Sequence, residues 1–446
     1  MRSSPQSSWQ NVFRVLEQRN YRFFFIGQGF SLIGTWMQQI AEVWLMYRLT
    51  HSAFYLGVAG FASQIPGFVL APLAGVWVDK SERRTLLIWT QVAAMVQAFV
   101  VAYLVMANRI TVTQLIWLCV IGGVIDAIDI PARQSFVIEM VGKREYLPNA
   151  IALNSSLMNG ARLIGPSIAG LVIGAVGEGW CFVANGLSYV TIIVALLAMR
   201  IAPRPPAQRE SSMWSHFKEG FSYATGFSPI LACLCLLALM SLMGTPYTTL
   251  MPIVAAQILH GGPHTLGFLL AGAGLGAFTA AIRLARRNTV LGLGRQIPMG
   301  MGGFALCLVG FSFSRVFWLS WLLLYGAGFG MMTGIASANT LIQTVVDEDK
   351  RGRVMSFFTM SFFGTAPFGS LLLGSLANRV GAPLALRLGG SVCVLGAAAF
   401  YLQLSRMRQK IRPIYQRLGI LPVTGQVLPE VASGLEAAAI VRTQAK

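Results

Sequence analysis

Three carboxylates inside long apolar stretches are the residues of this sequence best placed to do chemistry. The chain has 16 Asp and Glu residues, and we place only Glu42, Asp126 and Asp129 within stretches apolar enough to lie in a membrane. An ionisable group at that depth is expensive to bury, so it either pairs with a base or takes up and releases a proton. We therefore consider Glu42 and Asp126 as candidate proton-exchanging residues.

Glu42 ends a polar stripe on the first apolar helix. Four polar residues precede it at steps of three or four positions: Gln28, Ser31, Thr35 and Gln38. These steps place all of the side chains on one helix face, and that face is unfavourable against lipid. We expect it to line a central cavity, in which Glu42 exchanges a proton as the cavity opens to either side. The alternative is a structural role for Glu42 as the partner of Arg48, near the end of the same helix.

Two further polar faces belong to the same expected cavity. Arg162 lies in the middle of the fifth apolar helix with Asn159 on its face, and an arginine at this depth needs an anion or a carbonyl group beside it. It either binds an acidic ligand group or pairs with Asp126 or Asp129, and the residues alone leave both readings open. The tenth helix adds three hydroxyl groups at helical spacing: Thr333, Ser337 and Thr340.

Acid and base crowd the short connection between the second and third apolar helices. Five residues carry this pattern: Gly75, Asp79, Lys80, Arg83 and Arg84. Glycine allows two helices to approach closely, and an aspartate can cap a helix end and hold arginines in place. The pattern predicts a latch between helices that move against each other.

The end of the fourth helix adds charges to this connection. We expect Asp126 and Asp129 to form ion pairs with Arg133 and with the arginines of the connection, in a network that holds one face of the protein shut. The sharper alternative for Asp126 is a second protonation site. We call the expected set the latch residues: Gly75, Asp79, Lys80, Arg83, Arg84, Asp129 and Arg133.

Composition and run length set the class of protein. Hydrophobic residues make up 55% of the chain and charged residues 11%, whereas a soluble domain carries about a quarter charged residues. Apolar stretches of roughly 20 residues, each long enough to cross a ~30 Å hydrocarbon core as a helix, recur along the chain. They lie near 22–47, 53–78, 85–107, 112–132, 149–176, 179–199, 229–257, 264–284, 296–314, 317–346, 352–377 and 382–404. We therefore expect an all-α membrane protein with twelve transmembrane helices.

The basic charge follows the expected topology. The net charge is +18, and most Lys and Arg fall in alternate connections and near the two termini. The positive-inside rule then predicts that both termini face the cytoplasm, across an inner (plasma) membrane. Charge arranged in this way indicates orientation in a lipid bilayer, so nucleic acid is not an expected partner. The cysteines lack metal or redox spacing and no Walker A motif occurs, so we expect no metal, no cofactor and no enzyme activity.

Two similar halves are predicted, separated by a Pro- and Arg-rich linker. Gly165, Pro166 and Gly170 in the fifth helix are echoed by Gly364 and Pro367 in the eleventh. Repeated six-helix halves are typical of transporters that rock one half against the other around a central site. The expected divisions are a cytoplasmic segment 1–20, a six-helix half 21–200, a cytoplasmic linker 201–228, a second half 229–405 and a cytoplasmic tail 406–446.

The run Gly75-x-x-x-Asp79-Lys80-x-x-Arg83-Arg84 resembles a signature of the major facilitator superfamily, with Glu82 where a glycine is usual. The segments around Pro131-Ala-Arg133-Gln and from 149 to 170 look like one branch of it. That branch includes siderophore exporters of the enterobactin-exporter type and macrolide or multidrug efflux proteins. The resemblance covers about residues 10–405. It implies the major facilitator fold, with two pseudo-symmetric six-helix halves, and transport by alternating access.

The fifth helix carries a second part of this resemblance. Gly165-Pro166-x-x-Ala169-Gly170 is similar to the Gly-Pro-x-x-Gly-Gly element of the superfamily's antiporters, with alanine at the first of the paired glycines. Proline removes a backbone hydrogen bond, and small neighbours permit a kink and close helix contact. The similarity implies export.

These observations predict a monomeric inner-membrane antiporter that expels a small amphiphilic compound, such as a siderophore or a drug, in exchange for protons. A lipid or lysophospholipid flippase and an uptake permease are alternatives with the same fold. An alternative of another class is a membrane sensor or assembly partner that does not transport.

Overall fold

The structure is a computed structural model. It describes residues 14–142, 144–200, 221–287 and 289–421, apart from a few side chains, that of Asp79 among them. The expected N-terminal segment 1–20, linker 201–228 and tail 406–446 therefore lie partly outside the described residues. Within the described ranges, every regular element is a helix.

The helices follow the predicted order, and we label them along the chain. The first half contains α1 (Arg19–Thr50), α2 (Ala53–Lys80), α3 (Arg83–Met106), α4 (Val112–Val141), α5 (Leu147–Val176) and α6 (Gly179–Ala198). The second half contains the uninterrupted helices α8 (Pro263–Ala285), α9 (Leu293–Phe313), α10 (Phe317–Val345) and α12 (Ala382–Arg417).

Two helices of the second half are interrupted. Helix α7 consists of Ser228–Met243 and Tyr247–Ile253 and continues into the π-helical turn Val254–Ile258. Pro246 separates its segments, because proline has no N–H to donate to the preceding turn. Helix α11 consists of Glu348–Thr359 and Ala366–Val380, joined by the π-helical turn Met360–Gly364.

Eleven helices in the described part of the chain are long and apolar enough to cross a membrane. The remaining long helix is α1, whose mean hydropathy is lowered by three glutamines and by Glu42. Helix α1 has 32 residues and packs against α4, α5 and α6, so it lies among the spanning helices. The all-α membrane fold is therefore confirmed, with α1 assigned to it by position.

Two helices extend beyond their predicted ends. Helix α4 continues through Pro131 to Val141, and α12 continues to Arg417, past the predicted end at residue 404. A single proline removes one backbone hydrogen bond, a loss that a helix held among its neighbours can absorb. The Ser135 hydroxyl donates a hydrogen bond to the Pro131 carbonyl (2.9 Å) just after the proline. The basic segment that begins the expected tail is therefore the end of α12.

The two halves meet near the end of the bundle at which α1 connects to α2 and α5 connects to α6. We call this end the far face, and the opposite end, which carries the α2–α3 and α10–α11 connections, the basic face. Toward the far face, α2 crosses α11 at Gly57 and Gly374, and α5 crosses α8 at Gly170 and Gly267. A β-carbon on Gly374 would lie 2.7 Å from the Cα of Gly57, and one on Gly170 would lie 3.1 Å from the Cα of Gly267. Glycine permits this approach, so the crossings hold the halves together at the far face.

The halves separate toward the basic face. Phe68 of α2 still contacts Phe368 of α11, with ring centroids 5.9 Å apart. Closer to the basic face, a β-carbon on Gly75 of α2 or on Gly160 of α5 would have no neighbour within 4 Å, and Met158 of α5 is half exposed. The protein is therefore closed at the far face and open toward the basic face. We call the space between the halves the opening.

Candidate functional site

Glu42 lies in a hydrogen-bonded group of polar side chains inside the first half. The Nε2 atom of Gln38 donates to the Glu42 carboxylate (2.8 Å) and contacts the Gln97 side-chain oxygen (3.0 Å). Gln97, on α3, donates in turn to the Leu118 carbonyl of α4 (3.2 Å). Glu42 itself is half-buried. Arg48 forms its ion pair with Glu178 instead (2.5 Å), so the structure does not show the alternative pairing of Glu42 with Arg48.

The group continues into α6. Asn185 donates to the side-chain oxygen of Gln38 (2.7 Å) and also contacts the Tyr189 hydroxyl (3.3 Å). Buried polar groups in a membrane protein require partners of this kind, because no water replaces them. We call Glu42, Gln38, Gln97, Asn185 and Tyr189 the Glu42 network; it joins α1, α3 and α6.

Asp126 of α4 lies at the edge of this network. Its charge interacts with Glu42, with Arg133 and with the Tyr189 side chain. The side chain is exposed, and these neighbours belong to α1, α4 and α6 of the first half. Asp126 therefore provides a second carboxylate near Glu42 and Arg133.

Asp129, one turn further along α4, has a different environment. It is 2% exposed and accepts hydrogen bonds from the Thr90 hydroxyl (2.8 Å) and the Gln91 amide (2.7 Å) of α3. It also forms an ion pair with Arg133. The carboxylate is thus fully surrounded by donors, and it ties α4 to α3.

Arg83 and Arg84, the two latch arginines at the start of α3, have described partners in the first half other than Asp129. Arg83 forms an ion pair with Glu139 of α4. Arg84 donates to the carbonyls of Leu196 (2.8 Å) and Leu197 (2.9 Å), which belong to the last turn of α6. Sequence reasoning missed Glu139 because it ended α4 near Pro131; the only signal for it would have been the continuation of the helix through that proline.

The other latch residues lie at the end of α2. Gly75 is half-buried beside open space, and Lys80 is exposed. The side chain of Asp79 lies outside the described part of the structure, so its expected role as a cap for the arginines stays a prediction. Arg83 and Arg84 do hold the start of α3 to α4 and α6, on the basic face.

The polar stripe of α1 faces α6 and α3 rather than the opening. Gln28 and Ser31 are each 2% exposed and Gln38 is 8% exposed, whereas Thr35 is half-buried and its hydroxyl donates to the Ser31 carbonyl (2.9 Å). These positions differ from the expected lining of a cavity. For Gln38 the physical reason is visible: α6 and α3 offer it polar partners, Asn185 and Gln97.

Arg162 lies where α1, α5, α7 and α8 meet. Its guanidinium carbon is 5.6 Å from the centre of the Trp36 ring of α1, and its charge interacts with the buried Tyr247 of α7. A β-carbon on Gly274 of α8 would lie 3.0 Å from the Arg162 carbonyl. Asn159, one turn closer to the basic face, is half-buried on the same side of α5. The described contacts do not pair Arg162 with Asp126 or Asp129, which was one of the two interpretations of the sequence.

The expected kink element lies at close helix contacts. A β-carbon on Gly165 would collide with Trp36 of α1 (2.5 Å), and Gly170 lies against α8. The carbonyl of Pro166 faces Gly267 of α8. Helix α5 is continuous through these residues, so the small residues serve contact with both halves in this conformation.

The hydroxyl groups of α10 are divided by depth. Thr333 and Ser337 are buried, whereas Thr340 is exposed. Thr333 donates to the Phe329 carbonyl (2.8 Å) and Thr340 to the Ala336 carbonyl (2.9 Å), each one turn earlier. Thr340 opens onto a recess of about 510 Å³ near the basic face. The recess is lined by Thr340, Gln343, Thr344, Arg351, Leu418 and Ile420.

These features define a membrane transporter: two helical halves are closed at one end and open at the other, and ionisable groups lie inside the membrane. The described residues contain no group of three His, Cys, Asp or Glu side chains suited to a metal. The chain belongs to the transmembrane secretion effector family of the major facilitator superfamily, whose profile matches residues 10–414. Family and fold are those of transporters and not of enzymes.

Curated relatives include siderophore transporters. The chain is similar to the staphyloferrin A transporter of Staphylococcus aureus (strain NCTC 8325 / PS 47), at 22% identity over 76% of this chain and 85% of that protein. It is also similar to the enterobactin exporter EntS of Citrobacter koseri, at 22% identity over 88% of this chain and 94% of that protein.

Solved structures share the fold. A D-xylose-proton symporter matches with a TM-score of 0.67 at 13% identity, over 85% of this chain and 97% of that one. A bacterial homologue of the human lysosomal transporter Spinster, in an inward-facing and unoccupied conformation, matches with a TM-score of 0.62 at 13% identity, over 92% of this chain and 99% of that one. At such identities the likeness concerns the fold alone.

Proposed function

We propose that this protein is a secondary active transporter that exports a small amphiphilic molecule, of the siderophore or drug type, in exchange for protons. The observation that carries the proposal is the Glu42 network. It links a membrane-embedded carboxylate, through Gln38, to polar groups of α3 and α6, and the acid Asp126 interacts with it. The names of the relatives, a staphyloferrin A transporter and an enterobactin exporter, support a siderophore substrate and the outward direction.

The distribution of charge between the halves supports antiport. From residue 229 to residue 346 the sequence has no Asp or Glu, so the membrane-embedded acids belong to the first half. Protons would bind there, at Glu42 and Asp126, while the substrate would lie between the halves. Alternating access then couples the two sites as an exchange, because one half-cycle carries the substrate with the acids deprotonated and the return half-cycle carries protons without substrate.

The remaining residues take supporting roles in this proposal. Asn159, Arg162 and Thr340 contact the substrate along the opening, and the latch residues hold the basic face shut when the far face opens. The pair Gly165 and Pro166 lets α5 bend. The protein acts as a monomer in the inner membrane, with the basic face and both termini in the cytoplasm.

Transport by purified protein in liposomes with an imposed pH gradient tests the proposal. The probes are enterobactin and the amphiphilic dye rhodamine 6G, and wild type is compared with Glu42→Gln. Glu178→Gln is the matched control, because it removes a carboxylate that pairs with Arg48 outside the Glu42 network. We expect gradient-dependent movement that Glu42→Gln abolishes and Glu178→Gln retains.

Other outcomes of this assay separate the alternatives. Gradient-dependent movement that Glu42→Gln retains would transfer the coupling role to Asp126, and movement that ignores the gradient would contradict antiport. Reversal of the gradient distinguishes export from uptake. Movement of a labelled lysophospholipid, with no movement of either probe, would favour the lipid flippase alternative.

A further inference from the structure

Arg162 is a membrane-embedded cation for which the described residues show no acidic partner. It is half-buried in the middle of α5, at a depth where an unpaired charge is costly and is kept for function. Four acids of the first half have other partners: Glu42 with Gln38, Asp129 with Arg133, Glu139 with Arg83, and Glu178 with Arg48. Asp126, the third acid that we place inside the membrane with Glu42 and Asp129, interacts with Glu42 and Arg133.

One aromatic side chain of the first half packs against this arginine, and one of the second half lies within reach of its charge. Its guanidinium lies over the face of Trp36 at 5.6 Å, and across the boundary its charge interacts with Tyr247. Tyr247 is fixed in place by Phe304 of α9, with ring centroids 6.2 Å apart. A guanidinium stacked on an indole keeps its planar fork of N–H donors free to bind a carboxylate through two hydrogen bonds.

A polar path leads from the basic face to Arg162. Ser155 is exposed, Asn159 is half-buried one turn further on, and Arg162 follows on the same face of α5. Toward the far face the path ends, because α5 meets α8 at Gly170 and Gly267. Arg162 therefore lies at the closed end of the opening, between the halves.

The second half adds no negative charge near this point. Its sequence from 229 to 346 lacks Asp and Glu. A site with a cation and without an acid from the facing half attracts anions, and the low dielectric of the surroundings strengthens the attraction.

We propose that Arg162, Trp36 and Tyr247 form the binding site for a carboxylate that is joined to an aromatic or apolar group in the substrate. The carboxylate accepts hydrogen bonds from the Arg162 guanidinium, and the attached ring lies against Trp36. This inference deepens the proposed export function by naming the chemical class of the substrate, and it rests on that function.

Binding measured without a membrane or a pH gradient tests the site separately from transport. Thermal unfolding of purified protein is recorded with matched pairs of probes: 2-naphthoate with 2-naphthamide, and salicylate with salicylamide. We expect each carboxylate to raise the unfolding temperature with increasing concentration and each neutral amide to raise it much less. Arg162→Gln should abolish the difference within each pair.

Arg387→Gln is the matched control. Arg387 also lies within a membrane helix and stacks on an aromatic ring, Phe313 at 3.7 Å, but it joins α12 to α9 and not the two halves. This variant should keep the preference for the carboxylate. Arg162→Lys covers the case in which Arg162→Gln does not fold: it should keep the preference with roughly tenfold weaker affinity, because the planar fork is lost.

Three results would overturn the site: no preference for the carboxylate in wild type, a preference that survives Arg162→Gln, or an equal loss in Arg387→Gln. A preference for carboxylates in a protein that shows no gradient-driven transport would leave the site intact and contradict the antiport proposal. Gradient-driven transport without the preference would do the opposite, so the two failures can be told apart.

Discussion

At the scale of single residues, Asp129 and Glu42 differ in how completely their carboxylates are surrounded. Asp129 is almost fully buried. It accepts hydrogen bonds from Thr90 and Gln91 and forms an ion pair with Arg133. Glu42 is half-buried and is held from one side by Gln38. A carboxylate that accepts hydrogen bonds from another helix and forms an ion pair on its own helix ties those helices together, so Asp129 serves stability. Glu42 has fewer direct partners and is partly exposed, so it is the better candidate for exchange.

Replacement of each acid by its amide should therefore have opposite consequences. Asp129→Asn removes the ion pair with the half-buried Arg133 and the charged acceptor of Thr90 and Gln91, and it should cost roughly 1.5–3 kcal/mol of stability. Glu42→Gln should leave stability close to wild type while abolishing gradient-driven transport. Thermal unfolding in detergent measures both variants. Equal stability of the two would contradict the division of roles.

At the scale of helices, the latch arginines fasten helix ends inside one half. Arg84 donates to carbonyls in the last turn of α6, where a helix runs out of backbone donors. Arg83 joins the start of α3 to Glu139 of α4. The basic face of the first half is therefore one rigid end, against which Asp79 at the end of α2 can act.

Loss of Arg84 should loosen the end of α6. Arg84→Gln removes charge-assisted hydrogen bonds to Leu196 and Leu197, each worth roughly 1.5–3 kcal/mol. Amide hydrogen exchange in the last turn of α6 should rise, while the far-face end of the helix stays protected. The exposed Lys80 provides a control, since Lys80→Gln should leave exchange in α6 unchanged. Unaltered exchange in Arg84→Gln would show that these bonds do not hold the helix end.

Asp79→Ala tests the latch itself. We expect it to reduce the turnover rate strongly and to leave substrate affinity largely intact, because the latch stabilises one conformation and does not touch the substrate. Transport rates and equilibrium binding of the same probe measure the two effects. An equal loss of affinity and turnover would contradict the latch.

Much of the fold was predictable, because membrane helices are recognisable by their length and apolar composition. The helix ends were less predictable. Helix α4 continues past Pro131, and this extension brings Glu139 to Arg83. The orientation of α1 could not be predicted, because helical spacing shows that Gln28, Ser31 and Gln38 share a face without showing which neighbour covers it. Partners for that face come from α6, distant in the sequence.

At the scale of the whole molecule, the structure is one end of a conformational cycle. Glycine crossings close the far face, and the opening lies toward the basic face. The proposed export requires that the far-face contacts break while the basic face closes. One such contact is the hydrogen bond from the Ser52 hydroxyl, just before α2, to the Asn378 side chain of α11 (3.2 Å). It must break for the far face to open.

A crosslink across this contact should arrest transport. In a cysteine-free background, oxidation of the Ser52→Cys/Asn378→Cys double variant should lower transport to the level of empty liposomes. A reducing agent should restore it, and each single variant should be insensitive to oxidation. Full transport by the crosslinked protein would contradict closure at the far face as a step of the cycle.

Proton movement driven by substrate tests the central claim, proton antiport through Glu42, most directly. Liposomes with a trapped pH indicator and no initial pH gradient receive enterobactin on one side, and internal pH is recorded for wild type, Glu42→Gln and Glu178→Gln. The account predicts that protons move opposite to the substrate in wild type and Glu178→Gln, and that this movement is absent in Glu42→Gln. Substrate movement without a pH change, or with protons in the same direction, would contradict it.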